Sequence, residues 1–171
     1  LGVEPENVVL IGDSAGGNLA AAVSLMARDR GEFRPGRQIL IYPALDSRHS
    51  EDSPYPSVRE NGTGYLLTAK RVRDYMALYR SSDEDLTNPY FAPLRASSLA
   101  NQPDTLLITA EYCPLRDEGE AYGRRLREEG GFVEIHRLPD ALHGYFSLPV
   151  RFSLVKQTYG IMNRFLERRH E

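Results

Sequence analysis

Gly12-Asp13-Ser14-Ala15-Gly16 sets a serine at the centre of a Gly-x-Ser-x-Gly pentapeptide, directly after the apolar run Val8-Val9-Leu10-Ile11. Four β-formers in a row read as a strand, and residues 18–30 read as a helix, with Leu19, Val23, Met26 and Ala27 at helical spacing. A serine at such a strand-turn-helix junction is in the setting of an activated nucleophile, because the tight turn holds its hydroxyl out above the sheet. Gly12 and Gly16 are expected to be what the turn requires, since a Cβ there would collide with the neighbouring strand or helix. The pentapeptide by itself arises by chance in about one chain of this length in twenty, so its flanking elements carry the reading. The bland alternative is a structural glycine turn before a helix. The Ala15 N–H, next after the serine, is placed to donate to an oxyanion.

A serine hydroxyl needs a base. Of the four histidines, His49 lies in a polar stretch, His136 within a strand and His170 in the tail, whereas His143 comes just past a strand and is followed by Gly144. Sites in open α/β sheets form beyond the carboxyl ends of the strands. Ser14 and His143 both stand there, which nominates His143 as the base.

The elements that must position these two side chains alternate. After the first helix come a strand at residues 38–42 closed by Pro43, a third at 104–110, and a helix carrying Leu115, Tyr122 and Leu126 that ends at Gly130-Gly131. A fourth strand at residues 132–136 alternates enough to lie near a sheet edge. A final helix at 152–168 carries Val155, Tyr159, Met162 and Leu166 on one stripe, and the charged tail from Glu167 onward reads as a solvated end. The pattern predicts an α/β fold, a parallel sheet with flanking helices, in a single domain over residues 1–171. Residues 45–98 read as an excursion from the sheet and not as a second domain. Within it Thr68 caps a helix with Val72, Tyr75, Met76 and Tyr79 on one face. Tyr55, Tyr65, Tyr75, Tyr79 and Tyr90 are expected to pack rather than to wall a pocket.

A net charge of −3 and a pI near 5.9 supply no basic field, which argues against nucleic acid as a partner. No apolar run reaches the length of a membrane span and no basic-then-apolar leader precedes the first strand. The single cysteine, Cys113, excludes an internal disulfide and a cysteine-based zinc site. These features fit a cytoplasmic protein. Residues 8–11 lack polar alternation, as a strand covered on both faces of a parallel sheet does. With Leu1 at the start, the chain reads as the back part of something longer, and either the missing preceding half or a second copy is expected to cover that strand.

Gly12-Asp13-Ser14-Ala15-Gly16-Gly17-Asn18, Tyr42-Pro43, Asn88-Pro89-Tyr90, Thr109-Ala110-Glu111-Tyr112, Pro114-Leu115-Arg116-Asp117-Glu118-Gly119 and Leu142-His143-Gly144-Tyr145 follow one another in the chain. Together they resemble the hormone-sensitive-lipase-like branch of the α/β-hydrolases, over nearly the whole length. The resemblance implies a carboxylic-ester hydrolase with a small-molecule ester substrate and no cofactor or metal. Ser14 would attack the carbonyl, His143 would take and return the proton, and an acid would orient the imidazole. Two departures stand out. The branch places a His-Gly-Gly type oxyanion segment well before the elbow, and this chain contains none. Where the branch has an aspartate before Pro-Leu-Arg-Asp, this chain has Cys113 before Pro114. Asp117 is a possible stand-in, with a helix-cap role as its bland alternative; Glu111 would start roughly 6.5 Å away along an extended strand. A reactive-thiol role for Cys113 has no basic partner evident in the sequence. Weak activity of the isolated chain is therefore expected. A non-catalytic fragment or pseudoenzyme serving as an assembly or binding module is the rival reading, and a peptidase or acyltransferase on the same fold is a third.

Overall fold

In a computed structural model, which describes residues 2–168, four parallel strands lie side by side in the order in which the chain makes them. β1 (Val9–Asp13) pairs with β2 (Arg37–Ile41), β2 with β3 (Asp104–Tyr112), and β3 with β4 (Val133–Leu142). The period-two alternation of a strand sends its side chains to two faces, and each face builds its own core. Leu40 and Leu107 meet Ala20 and Leu25 of α1 (Ala15–Arg30), together with Tyr122 and Leu126 of a later helix on the same face, residues 116–128. Ile39, Ile41, Leu106 and Ile108 on the other face meet Val155, Met162 and Phe165 of the last helix. The two strand-to-strand helices thus share a face, as crossovers of one hand stepping in one direction require.

The excursion after β2 contains α2 (Pro56–Glu60) and α3 (Ala69–Tyr79), the latter capped by the Thr68 hydroxyl, which accepts the Arg71 N–H at 3.2 Å. It is pinned to the elbow by Asn18, whose buried side-chain amide donates to the carbonyls of Ala44 and Phe91, both at 2.8 Å. The chain then completes β3, α4 (Arg116–Glu128), β4 and α5 (Ser153–Glu167).

Among the described residues β1 is the first strand of the sheet, with Val9 and Ile11 exposed at 37% and 51%. An unbroken apolar run states that a strand wants cover; it does not say which residues supply it. Two sequence expectations about helix faces are corrected: in α1, Leu19 and Val23 are exposed, and of the expected stripe Ala27 is buried, beside Ala20, Ala21, Ser24 and Leu25. Small side chains let its axis lie close to the sheet, and close approach outweighs the larger apolar area of the other stripe. In α5 the buried face is Val155, Thr158, Ile161, Met162 and Phe165, so Tyr159 and Leu166 fall at its margin. Glu167 and Arg168 are exposed, and the rest of the charged tail, His170 included, lies outside the described residues.

The fourth strand lies at an edge of the sheet and is longer than its apolar core suggests, running on to Leu142. Its register with β3 shifts between Ala110 and Tyr112, beside Pro139 and the left-handed Asp140 at φ 57°. An edge strand tolerates the missing proline N–H. Among the described residues no helix is long and apolar enough to cross a membrane.

Candidate active site

Ser14 occupies the turn between β1 and α1 at φ 52°, ψ −116°, a backbone region that residues with a Cβ rarely adopt. The surrounding bonds hold it there: the Ser14 N–H donates to the Ile41 carbonyl at 2.9 Å, and the Ser14 carbonyl accepts from Asn18 N at 3.1 Å. A Cβ on Gly12 would lie 2.1 Å from the Gly16 carbonyl oxygen, so Gly12 is required. Gly16 is not, since a Cβ there meets nothing within 4 Å. The second required glycine is Gly17, where a Cβ would come within 2.8 Å of the Pro43 side chain. The pentapeptide pattern had pointed to the wrong neighbour because the tight contact is made with Pro43, just after β2, which the pattern does not contain.

His143 follows the last residue of β4, and Gly144 turns the chain immediately afterwards at φ 83°. Its Nε2 lies 2.9 Å from Ser14 Oγ, and its Nδ1 lies 3.1 Å from Cys113 Sγ. Ser14, His143 and Cys113, 129 and 30 residues apart in pairs, are brought into one line of contact at the carboxyl end of the sheet. The Tyr42 ring packs on the imidazole at a centroid distance of 4.7 Å, and its hydroxyl donates to Asp13 at 3.1 Å. Burial drives the His143 pKa down to about 4, against a weaker opposite pull from the Asp13 carboxylate. The ring is neutral at pH 7, the form in which an imidazole can take a proton.

Cys113 is fully buried, and burial pushes its thiol up to about 12, so the sulfur facing His143 is protonated. The tertiary structure supplies the basic neighbour that the sequence did not reveal, yet desolvation keeps the thiolate from forming. The consequence for the imidazole is specific. A carboxylate at this point only accepts, which fixes the ring proton on Nδ1 and leaves Nε2 as the base. A neutral thiol donates as well as accepts, so it also supports the tautomer protonated on Nε2, which cannot take the serine proton.

Neither stand-in acid reaches the ring. The Asp117 carboxylate accepts the Ser57 N–H in the first turn of α2 at 2.7 Å and pairs with Arg116 at 2.8 Å, so it ties two helices together and does not cap its own. The Glu111 carboxylate accepts the Asp140 N–H at 2.7 Å. Ala15 opens α1, where first-turn N–H groups have no intrahelical acceptor, and it lines the cavity above the serine.

That cavity has a volume of about 370 Å³ and is walled by Leu19, Leu66, Val72 and Met76 as well as by Ser14 and His143. Tyr75 and Tyr79 also line it, contrary to the expectation that the excursion's tyrosines only pack. The others do pack or bond: Tyr55 donates to Asp46, Tyr65 stacks on Tyr112, and Tyr90 donates to Asp29. Among the described residues no three His, Cys, Asp or Glu side chains gather as a metal site. Sequence reasoning missed one buried polar pair near this region, His49 with Glu118. Its signal was available, because Glu118 stands four and eight residues before Tyr122 and Leu126, on the stripe that α4 turns inward.

With this geometry in view, the likeness to known proteins is extensive. A family profile described as the alpha/beta hydrolase fold matches residues 1–147. The chain is 37% identical over 150 residues to an arylesterase of Saccharolobus solfataricus, covering 87% of this chain and 47% of that protein. It is 38% identical over 152 residues to the carboxylic ester hydrolase LipN of Mycobacterium tuberculosis, covering 86% of this chain and 39% of the relative. Among solved structures, carboxyl esterase 2 of the mycorrhizal fungus Tuber melanosporum superposes with a TM-score of 0.85 at 34% identity, over 94% of this chain and 53% of that one. The chain therefore spans about half the length of the proteins it matches.

Proposed function

This chain belongs to the alpha/beta hydrolase fold family, in its hormone-sensitive-lipase-like branch, and on that premise we propose that it carries the nucleophile and base of a carboxylic-ester hydrolase working through an acyl-enzyme. The observation that carries the reading is the 2.9 Å contact between Ser14 Oγ and a neutral His143 Nε2 at the floor of an apolar cavity. His143 accepts the Ser14 proton as Oγ attacks the ester carbonyl, and the tetrahedral oxyanion takes a hydrogen bond from the Ala15 N–H. His143 then returns the proton to the departing alcohol. Water repeats the sequence on the acyl-enzyme and releases the acid.

Cys113 stands where the branch has its acid, and its neutral thiol leaves the imidazolium formed in each step without a counter-charge. The resemblance assigns further oxyanion donors to a His-Gly-Gly type segment well before the elbow, outside these 171 residues. Loss of one such donor costs about 100- to 1,000-fold in turnover. Slow ester hydrolysis by this chain follows from both features, and the small-molecule ester is proposed as its substrate because the relatives carry esterase names.

The test is covalent labelling with a fluorophosphonate, which needs an activated serine but not a complete catalytic cycle. Ser14 is expected to take the label in the folded protein, and Ser14→Ala to take none. Equal labelling of the two, or none in folded parent protein, would overturn the assignment.

The exposed edge of β1 is proposed to be covered in the working protein, by preceding chain or by a second copy, because an unpaired strand edge bearing Val9 and Ile11 templates further pairing. In light scattering the 171-residue chain is expected to run larger than its 19.3 kDa. A monodisperse monomer whose β1 amides exchange freely with solvent would contradict this.

A further inference from the structure

α3 supplies Val72, Tyr75, Met76 and Tyr79 to the cavity wall, and it is attached through Val72 in the core, Met76 packed against that core and the Tyr79 ring stacked on Phe91. Val72 is its one buried residue, and most of its surface faces solvent. Lys70 and Asp74 pair with each other within the helix, and Arg71 donates to the nearby Leu66 carbonyl. Among the described residues, the one side-chain hydrogen bond from α3 to a distant part of the chain is made by Arg73, whose guanidinium donates to the His49 carbonyl at 2.8 Å.

His49 is itself held from the other side. Its Nε2 lies 2.5 Å from the Glu118 carboxylate, with both side chains fully buried. The second oxygen of that carboxylate accepts the Leu45 and Asp46 N–H groups at 2.7 and 3.2 Å. Glu118 thereby grips three points of residues 45–49 from the first turn of α4, three residues after the end of the segment that carries Cys113, Pro114 and Leu115. A continuous chain of bonds runs from α4 through Glu118, His49 and Arg73 to the wall of the cavity.

We infer that Glu118 and His49 are positioning residues for substrate binding, which set α3, and with it the apolar wall, at a fixed distance from Ser14 through the Arg73 bond to the His49 carbonyl. The inference rests on the proposed esterase reading for its substrate, but not for its mechanics. Neither residue touches the cavity, so their effect falls on substrates long enough to reach α3 and spares those that end near the serine.

Two variants test it: Glu118→Gln, which keeps the carbonyl that accepts from Leu45 and Asp46, and Arg73→Met, which removes an exposed donor and leaves the buried pair in place. Hydrogen exchange is expected to quicken in the α3 amides of both, with β3 and α5 unchanged. Labelling of Ser14 by a methyl and a hexyl p-nitrophenyl phosphonate separates positioning from general damage. The hexyl compound is expected to lose roughly tenfold or more in its binding constant, with its limiting rate and the methyl compound's rate unchanged. Should Glu118→Gln fail to fold, Arg73→Met carries the test alone. Unchanged α3 exchange in Arg73→Met, or equal losses for both phosphonates, would overturn the inference. Absence of label in the parent would count against Ser14 as nucleophile and would leave exchange to decide on α3.

Discussion

Cys113→Asp is expected to raise ester turnover on the order of 1,000- to 10,000-fold over the parent chain, the inverse of what replacing a triad aspartate by a neutral residue costs in serine proteases. The geometry for a gain is already in place. Cys113 Sγ stands 3.1 Å from His143 Nδ1, and the Leu115 N–H points at the same sulfur from 3.4 Å. A carboxylate there would accept both, hold the imidazole in the tautomer that leaves Nε2 free, and face the positive charge that forms during each proton transfer. A 10,000-fold gain corresponds to about 5.4 kcal/mol of transition-state stabilisation.

The pH profile is a second readout of the same substitution. A base works in its neutral form, so activity rises with pH through the His143 pKa. In the parent, burial sets that rise at about 4, well below the usual imidazole value. A carboxylate at position 113 favours the imidazolium and moves the rise toward neutrality. Asp117→Asn, which touches α2 and Arg116 and not the imidazole, is expected to leave both rate and profile unmoved. If Asp117→Asn abolishes activity while Cys113→Asp changes nothing, the acid has migrated and the account of Cys113 fails.

Gly12→Ala is expected to eliminate fluorophosphonate labelling of Ser14 and to destabilise the fold by at least about 3 kcal/mol, or roughly 6 to 12 °C in Tm. The added methyl would sit 2.1 Å from the Gly16 carbonyl oxygen, a backbone atom in the first turn of α1 that cannot swing aside as a side chain can. The elbow must open, and Ser14 then loses its placement against His143. Gly16→Ala is the control with the opposite sign. Its Cβ enters open space within a helix, so stability should hold or rise by up to about 1 kcal/mol. Calorimetry on the two variants decides the matter; equal melting temperatures would show that the strained turn does not depend on Gly12.

Much of this was legible before any coordinates. Apolar runs separated by amphipathic stretches determined the four strands, their parallel class and the helices between them, because a chain's periodicity is written in local sequence. The loops that follow strands determined that Ser14 and His143 stand at the carboxyl end of the sheet, and the resemblance to the hormone-sensitive-lipase-like branch put Cys113 where an acid was expected. What the sequence did not determine was which atoms touch. That α1 buries alanines and turns Leu19 outward follows from how closely a helix can approach β2. That Gly17 and not Gly16 is indispensable follows from Pro43, 26 residues further on. The fully protonated thiol of Cys113 and the acid-shifted imidazole of His143 are products of burial, which is a property of everything packed around them. The Glu118, His49 and Arg73 chain lies deeper still in the tertiary structure, since its links come from three separate elements and each was, in the sequence, one charged or polar residue among many. Periodicity is local and survives in one dimension; contact, desolvation and strain exist only once the elements have been brought together.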